Sequence, residues 1–393
     1  MATVVNPQLI TDLQKFGAAD VNACYSCGNC TAICPLADND ATFPRRFIRL
    51  AQVGLTDELV TSKELWTCYQ CGMCTDRCPQ EADPAEFMAT ARRYAIAKLD
   101  KSGIARALYT KPVVGTLIVV GAMLLFALFF ASVREQESRQ QLAFFDFIPY
   151  HWIHNVGLGL MIVVALVAVI NLASMIRGTA RRDGVTAKDL FGSGAGWRNT
   201  LRAAWYAVGI ESLGQKRFRE DCADDEPAEP LYRRRWLIHA LTLWGFLGLF
   251  VATVINYAMD AFGLKPTGTW VPLWYPVRLL GTVSGLALMY GVTWFMINRW
   301  RKVSSAAQHS APSDWLFLAL LWLTGLTGFV IEVALYLPQP QVWAYWVFLV
   351  HVAIAMELVL FLPFTKFAHV MYRPVSLFFY ALAKQRNREL QPV

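Results

Sequence analysis

Charged side chains are scarce in this sequence, and they are almost missing from several long stretches of its second part. Lys, Arg, Asp and Glu make up 17% of the 393 residues, whereas 55% are hydrophobic. A soluble protein of this size needs more polar residues on its surface, so the composition excludes a soluble protein. The net charge of +7 does not indicate nucleic-acid binding, because the basic residues cluster between the apolar stretches.

Several motifs of redox and exported proteins are also missing. There is no C-x-x-C-H run, which excludes covalently attached c-type haem. There is no G-x-G-x-x-G run, so nothing indicates a dinucleotide-binding fold. The segment 1–7 has neither the basic region nor the apolar core of a cleavable signal, so we expect the first domain to stay in the cytoplasm.

The cysteines, in contrast, follow one pattern twice. Cys24–Pro35 and Cys68–Pro79 both read C-x₂-C-x₂-C-x₃-C-P, and together they use eight of the nine cysteines. This run is typical of proteins with two cubane iron–sulfur clusters, in which the fourth cysteine of each run binds the other cluster. We therefore predict two [4Fe-4S] clusters with crossed ligands: Cys24, Cys27, Cys30 and Cys78 for one, and Cys68, Cys71, Cys74 and Cys34 for the other.

Other interpretations of the cysteines fit less well. Structural zinc prefers two C-x₂-C pairs separated by a longer loop, and it does not need a four-cysteine run twice. A disulfide framework is disfavoured because nothing in the sequence indicates secretion. The ninth cysteine, Cys222, stands in an acidic stretch that disfavours the thiolate, so we predict a spare thiol.

Six apolar stretches are long enough for a membrane helix, which takes about 20 residues. They cover residues 112–133, 152–176, 236–258, 279–297, 315–337 and 342–369. The predicted fold class is mainly α: residues 1–105 form a cytoplasmic α-helical ferredoxin-like domain with two clusters, and residues 106–393 form a six-helix transmembrane bundle. Ser313 and Asp314 are candidate N-caps of the fifth span.

Basic residues set the predicted orientation. The loop 177–235 carries twelve Lys or Arg, and further basic residues follow the fourth and sixth spans, whereas the other connections carry few. Since cytoplasmic loops of membrane proteins are enriched in Lys and Arg, we expect both termini in the cytoplasm. The location predicted is the cytoplasmic membrane of a prokaryote, with several passes.

Four histidines within the spans are candidate haem ligands. His239 and His369 are predicted near the cytoplasmic face, and His351 and His154 near the outer face, with His151 as the alternative to His154. His351 and His369 are eighteen residues apart, so on one helix they would share a face at a separation of roughly 27 Å. The pattern predicts two b-type haems with paired histidine ligands. A lone membrane histidine is more often a core or interfacial residue, and His309 is predicted to be solvated.

Intramembrane carboxylates are functional candidates because a charge in hydrocarbon is costly. Glu332 and Glu357 are therefore predicted to relay protons for a quinone, with a helix–helix hydrogen bond as the equally good alternative. Arg278 is a candidate partner for a haem propionate or an interfacial anchor. The quinone is expected near the outer haem, and Lys366 with Arg235 marks the rival position near the inner one.

The residues also support a family resemblance. The two cysteine runs and the intervening segment 43–54 resemble the small iron–sulfur subunit of heterodisulfide reductases. The membrane half resembles their cytochrome b subunit and, more distantly, the gamma subunit of respiratory nitrate reductase, although the position of one expected histidine is Leu249. A fusion of this length resembles the fused iron–sulfur and cytochrome b subunit of the quinone-interacting membrane-bound oxidoreductase complexes.

That resemblance implies an electron-transfer subunit of a membrane oxidoreductase. It would connect menaquinone, two b haems and two clusters to soluble heterodisulfide-reductase-like flavoproteins, with adenylylsulfate reductase as the enzyme served. Substrate chemistry on the soluble side would belong to those partners. The alternatives are a fused membrane subunit of a heterodisulfide reductase and a membrane redox sensor, although no signalling region is evident.

Overall fold

The computed structural model describes residues 4–17, 20–37, 42–192, 195–221, 229–264 and 271–390. Within these ranges the regular elements are helices, and no strand occurs, which confirms the mainly α prediction. Cys222 lies outside the described residues.

The α-helices are α1 Leu9–Gln14, α2 Asn29–Ala32, α3 Arg45–Gln52, α4 Thr56–Thr61, α5 Glu64–Thr67, α6 Met73–Asp76, α7 Pro84–Leu99, α8 Ile104–Thr110, α9 Pro112–Ser132, α10 Phe144–Phe147, α11 Tyr150–Asp183, α12 Ala187–Phe191, α13 Ala195–Trp205, α14 Lys216–Asp221, α15 Arg235–Ala261, α16 Pro276–Trp300, α17 Ser305–Gln308, α18 Pro312–Ala334, α19 Val342–Leu360 and α20 His369–Leu390. Single turns of 3₁₀-helix cover Val21–Ala23, Leu231–Arg233 and Lys366–Ala368, and a π-helix covers Tyr206–Leu213.

Short helices around one apolar core form the cysteine-containing part of the chain. Leu13, Phe47, Leu59 and Phe87 come from four different helices of this part and are at most 1% exposed. Each such side chain stabilises the fold by about 1.5–3 kcal/mol through burial. The same core continues into α11 and α20, so the cysteine-containing part packs directly on the longer helices.

Six helices are long and apolar enough to cross a membrane: α9, α11, α15, α16, α18 and α19. Their number matches the prediction, and most bounds agree within a few residues. The second is longer than expected because its last turns leave the apolar stretch and bind α4 and the residues after it. Thr179 donates a hydrogen bond to the Thr61 carbonyl at 2.9 Å, and Lys63 pairs with Asp183 at 2.7 Å.

The sixth span was predicted to run to His369 with an interruption at Pro363, and this extent is wrong. Helix α19 ends at Leu360, and α20 begins at His369 after a bend that contains Pro363. Proline has no N–H for a helical hydrogen bond, and Thr365 instead caps a new 3₁₀ turn by accepting from the Phe367 N–H at 3.4 Å. His351 and His369 therefore lie on separate helices, so the expectation that they share one helix face is wrong.

The predicted N-cap of the fifth span is also wrong. Ala311 takes that position and Pro312 begins α18, so Asp314 lies inside the first turn. Asp314 is only 3% exposed, and three cations surround its carboxylate. Arg93 of α7 lies 3.6 Å away, Arg299 of α16 lies 3.5 Å away, and Lys366 lies 3.5 Å away. Asp314 thus connects the cysteine-containing part to the bundle.

Helices α15 and α16 pack closely through small residues. A Cβ added at Gly245 would lie 2.5 Å from the Leu288 backbone nitrogen, and one at Gly291 would lie 2.8 Å from the Ile238 carbonyl. Small residues at such positions are typical of membrane helix pairs because they let the backbones approach. This packing fixes the position of His239, which lies one residue after Ile238.

Candidate functional site

The two cysteine runs fold in the same way. In each run the residue before the second cysteine and the glycine after it have positive φ: 58° for Ser26, 89° for Gly28, 55° for Gln70 and 98° for Gly72. Glycine adopts this conformation without a steric cost. Each glycine then caps a one-turn helix, α2 or α6, that carries the third cysteine. The repeat in sequence is therefore a repeat in structure.

Backbone N–H groups of both runs point at the first sulfur. The Ser26 N–H donates to Cys24 Sγ at 3.4 Å, and the Gln70 N–H donates to Cys68 Sγ at 3.3 Å. Such bonds favour a thiolate over a thiol because they place positive charge at the sulfur. Hydrogen bonds to the cysteine sulfurs are also among the factors that set the potential of an iron–sulfur cluster.

The cysteines sort into two groups that cross the runs. One small cavity is lined by Cys34 together with Cys68, Cys71 and Cys74. Burial raises the pKa of the Cys34 thiol to about 12, and the thiols of Cys68 and Cys71 act on it more strongly than that of Cys30.

The other group surrounds Cys30. Burial raises the pKa of this thiol, and the neighbouring thiols of Cys24, Cys27 and Cys78 raise it further. Cys78 belongs to the second run, so the fourth cysteine of each run lies with the first three of the other.

The donor set fits cubane clusters. All eight cysteines are free thiols, so no disulfide occupies these positions. Among the described residues, no three His, Cys, Asp or Glu side chains converge closely enough for a single metal ion. A cubane distributes its thiolates over separate iron atoms and needs them farther apart than one zinc ion does.

Two of the predicted haem ligands form a pair. The rings of His239 on α15 and His369 at the start of α20 have centroids 6.3 Å apart. Two imidazoles on opposite sides of one metal, each with a bond of about 2 Å, place their centroids on the order of 6 Å apart. Burial lowers the pKa of His369 to about 4, which leaves a neutral ring of the kind that binds a metal.

All four candidate histidines use Nδ1 for a hydrogen bond to the protein. At the inner end, His239 bonds Gln215 Oε1 at 3.0 Å and His369 bonds the Lys366 carbonyl at 2.8 Å. At the outer end, His154 bonds the Tyr150 carbonyl at 2.9 Å and His351 bonds Thr327 Oγ1 at 2.9 Å. The carbonyl-type acceptors place the proton on Nδ1 and leave the Nε2 lone pair available. Metal-bound histidines almost always have such an outer partner.

The outer histidines do not form a comparable pair. The His154 ring stacks on Tyr257 of α15 at 5.0 Å, whereas His351 faces α18, where it bonds Thr327 and lies against Gly328. Their rings make no contact with each other in the described part of the chain. His151 stacks on Trp152, away from both.

The two predicted carboxylates have different surroundings. Glu332 pairs with Arg278 at 2.9 Å, so each of these residues has the other as its partner. Glu357 on α19 is 0% exposed, and neither of its carboxyl oxygens has a hydrogen-bond partner in the described residues. An unpaired buried carboxyl is costly, which makes Glu357 the less easily explained of the two.

The sequence missed several contacts of the site. Gln215 precedes α14 with a φ of 50° and reaches His239 over 24 residues of sequence, and no local pattern indicates this contact. His309 is exposed, as expected, but the sequence did not indicate that its Nε2 lies 3.0 Å from Asp83 at the start of α7. Lys366 and Arg235, the rival quinone contacts, are engaged by Asp314 and by the Cys71 carbonyl.

Comparisons with known proteins identify both halves. Residues 23–82 match the 4Fe-4S dicluster domain, and residues 106–390 match the family described as Citrate utilization protein B. The Citrate utilization protein B of Escherichia coli is 26% identical over 97% of this chain and 87% of its own length.

Shorter matches cover the cysteine-containing part. An iron–sulfur subunit of the CoB–CoM heterodisulfide reductase of Methanopyrus kandleri is 40% identical over 16% of this chain and 36% of its own length. A subunit of the H₂:CoB–CoM heterodisulfide, ferredoxin reductase of Methanothermobacter thermautotrophicus is 31% identical over 16% of this chain and 34% of its own length. No solved structure matches the chain.

These matches decide which of the expected resemblances hold. The likeness to the iron–sulfur subunit of heterodisulfide reductases is confirmed for the first part of the chain. The likeness of the membrane half to a cytochrome b subunit stays a prediction. With a match over more than half of its length, the chain belongs to the Citrate utilization protein B family.

Proposed function

We propose that this protein is the electron-transfer subunit of a membrane oxidoreductase. The observation that carries the proposal is the position of the second cysteine run. Arg235 of α15 bonds its backbone at Cys71, and Arg373 of α20 bonds the backbone just before it at Trp66. The same two helices hold the paired rings of His239 and His369. Thiolates and neutral imidazoles so close together are suited to two kinds of redox centre. Bound at these residues, clusters and haems would supply one-electron carriers that change oxidation state without breaking bonds.

For the clusters, the proposed ligands are the crossed sets. Cys24, Cys27, Cys30 and Cys78 hold one cluster, and Cys34, Cys68, Cys71 and Cys74 hold the other. The shared cavity of the second set and the neighbours of Cys30 support this assignment. The repeated N–H bonds to Cys24 and Cys68 orient the sulfurs from outside.

For the haems, the proposed inner ligands are His239 and His369, and the proposed outer ligands are His351 and His154. The inner pair is supported by its ring separation and by Nδ1 bonds to Gln215 and Lys366. The choice of the outer pair is supported by the Nδ1 hydrogen bond that each of its two rings makes to the protein. A haem at this level would be held by His154 of α11 and His351 of α19.

A quinone, with menaquinone as the proposed species, reacts toward the outer ends of the helices. Of the two candidate carboxylates, Glu332 lies near the outer end of α18. Glu357 lies in the last turn of α19, toward its inner end, where a buried carboxyl without a partner among the described residues can take up and release a proton. Glu332 is proposed to share the task, although its pairing with Arg278 gives it a structural role as well. Arg278 is the candidate to hold a haem propionate.

The proposed partners are soluble flavoproteins like those of heterodisulfide reductases, in keeping with the relatives of the first part. Adenylylsulfate reductase stays a prediction without support from those relatives. The name of the Escherichia coli relative instead associates that protein with the use of citrate, so a partner that oxidises a carboxylic acid is the second candidate. A fused heterodisulfide reductase subunit and a redox sensor are the remaining alternatives.

Co-purification from the native membrane separates these alternatives. The proposal predicts a flavoprotein that co-purifies with the intact chain and reduces or oxidises its centres within one turnover. A thiol reductase as the co-purifying protein would identify the heterodisulfide reductase instead, and a signalling protein with no quinone-dependent electron transfer would contradict the proposal.

A further inference from the structure

Two arginines connect the helices of the inner histidines to the second cysteine run. Arg235 lies one turn before His239 on α15, and its guanidinium donates to the Cys71 and Gln70 carbonyls, both at 2.9 Å. Arg373 lies one turn after His369 on α20 and donates to the Trp66 and Thr67 carbonyls at 2.9 and 3.1 Å. Hydrogen bonds from charged donors are roughly twice as strong as neutral ones, so the start of this run and the two residues before it are held firmly.

Aromatic rings fill the space between the run and the histidine pair. Tyr69, between Cys68 and Cys71, has its ring centroid 5.3 Å from that of Phe218 on α14. Phe218 in turn lies 5.5 Å from the His239 ring. The Arg373 guanidinium covers the Tyr69 ring at 5.3 Å. The contact between rings is therefore continuous from the cysteine run to His239.

The first run has different surroundings. Cys27 is exposed, and Tyr25 beside it is 76% exposed. Near its start, Arg45 bonds the Ser26 carbonyl and Gln52 the Cys24 carbonyl, both from within the cysteine-containing part, whereas at its end the Pro35 carbonyl accepts from Arg217 of α14 at 3.3 Å. The two runs are alike locally, but the start of the first run faces solvent and the start of the second faces the bundle.

We propose that the centre held by Cys34, Cys68, Cys71 and Cys74 is the one that exchanges electrons with the inner histidine pair, and that Phe218, Arg235 and Arg373 position it. This inference rests on the proposed function. With clusters and haem bound at these residues, one electron would pass at a time: the centre at the second run would lose one electron as the centre held by His239 and His369 gains one, or the reverse. No bond or proton need change, so the separation and orientation of the two sites control the rate. The centre at Cys24, Cys27, Cys30 and Cys78 then faces the soluble partner.

Electron paramagnetic resonance of the purified full-length protein tests the order of the centres. An oxidised, paramagnetic haem speeds the relaxation of a nearby reduced cluster. We expect one of the two cluster signals to relax faster, Cys71→Ser to remove or alter that signal, and Cys27→Ser to leave it intact. Loss of the fast-relaxing signal in Cys27→Ser instead would overturn the proposed order.

The positioning residues are tested by Phe218→Leu, Arg235→Gln and Arg373→Gln, with iron and haem content measured in each. Phe218→Leu removes the ring but keeps an apolar side chain, so it tests the contact even where an arginine variant fails to assemble. After photoreduction by a flavin, we expect haem reduction to slow several-fold and the relaxation enhancement to weaken. Phe129→Leu is the control, because that ring packs edge-to-face against Trp152 at the opposite end of the bundle.

The outcomes separate this inference from the function on which it rests. Wild-type transfer rates and relaxation in all three variants would overturn the inference and leave the function standing. A wild-type protein without clusters or without haem would overturn both. Rescue by Arg235→Lys, with a slow Arg235→Gln, would support positioning by the charged donor.

Discussion

The hydrogen bond at Nδ1 is what distinguishes the four candidate histidines as a group. Each ring is oriented by the protein on one side and keeps Nε2 for a ligand on the other. Each cysteine run is built in a similar way, because a backbone N–H donates a hydrogen bond to the sulfur of its first cysteine. The residue types were predictable from spacing, but these outer partners were not, because Gln215 and Thr327 are distant in sequence.

Crossed ligation predicts which cysteine substitutions share a phenotype. Cys24→Ser and Cys78→Ser should damage the same cluster, because Cys24 and Cys78 both lie beside Cys30. Cys34→Ser should instead damage the cluster of the second run, with which Cys34 shares a cavity. Cluster-specific signals in electron paramagnetic resonance measure this. Damage by Cys24→Ser and Cys78→Ser to different clusters would exclude the crossed assignment.

Histidine substitutions test the haem sites one at a time. His239→Ala and His369→Ala should each abolish the same b haem, since either change removes one axial ligand. The reduced α-band and extracted haem report the loss. His309→Ala is the control, because His309 lies in a loop and pairs with Asp83.

The outer site needs its own comparison. His154→Ala should remove the second haem and His151→Ala should not, because His154 has its Nδ1 bound and His151 stacks outward on Trp152. Retention of both haems in His154→Ala would show that another residue completes this site.

Helices were the easiest part of the chain to predict. Long apolar stretches identify membrane helices by length alone, and the bounds of α9 and α15 agree with the sequence within three residues. The break between α19 and α20 was missed because proline is tolerated within many membrane helices, and only the surrounding packing decides whether it ends one. The extension of α11 beyond its apolar stretch was missed because its contacts with Thr61 and Lys63 join residues far apart in sequence.

Asp314 offers a test of how the two parts of the chain are connected. Asp314→Asn leaves Arg93, Arg299 and Lys366 without their shared carboxylate, and breaking a buried pair in this way costs about 3–5 kcal/mol. We expect a clearly lower thermal stability in detergent. The control is Asp12→Asn, which removes an ion pair with the half-exposed Lys15 and should cost at most about 1 kcal/mol. Equal stability of both variants would contradict the role given to Asp314.

The whole chain combines a cysteine run that starts at solvent, a cysteine run that starts against the bundle, an inner histidine pair and two carboxylates within the membrane helices. Under the proposed function, their order along the molecule provides a path for electrons between a soluble partner and a quinone. The family match and the dicluster domain cover these two halves separately. Only the folded chain shows that Arg235 and Arg373 join them.

Under the proposed quinone chemistry, Glu357 is expected to be the more sensitive of the two carboxylates, because it is fully buried and its oxygens have no hydrogen-bond partner in the described residues. Glu357→Gln keeps the shape of the side chain but removes the ionisable proton, so menaquinol-driven haem reduction should slow with haem content unchanged. Glu332→Gln should slow it less and lower stability more, because it leaves Arg278 without its 2.9 Å partner. Wild-type rates in both variants, with a slow Lys366→Ala, would place the quinone at the inner side.

The most direct test of the account is a redox titration of the purified full-length protein, followed by optical and electron paramagnetic resonance spectra. If the protein transfers electrons as proposed, it contains two b haems with distinct potentials and two [4Fe-4S] clusters per chain, with one cluster magnetically coupled to a haem. A purified protein that contains the clusters but no haem would contradict the proposal.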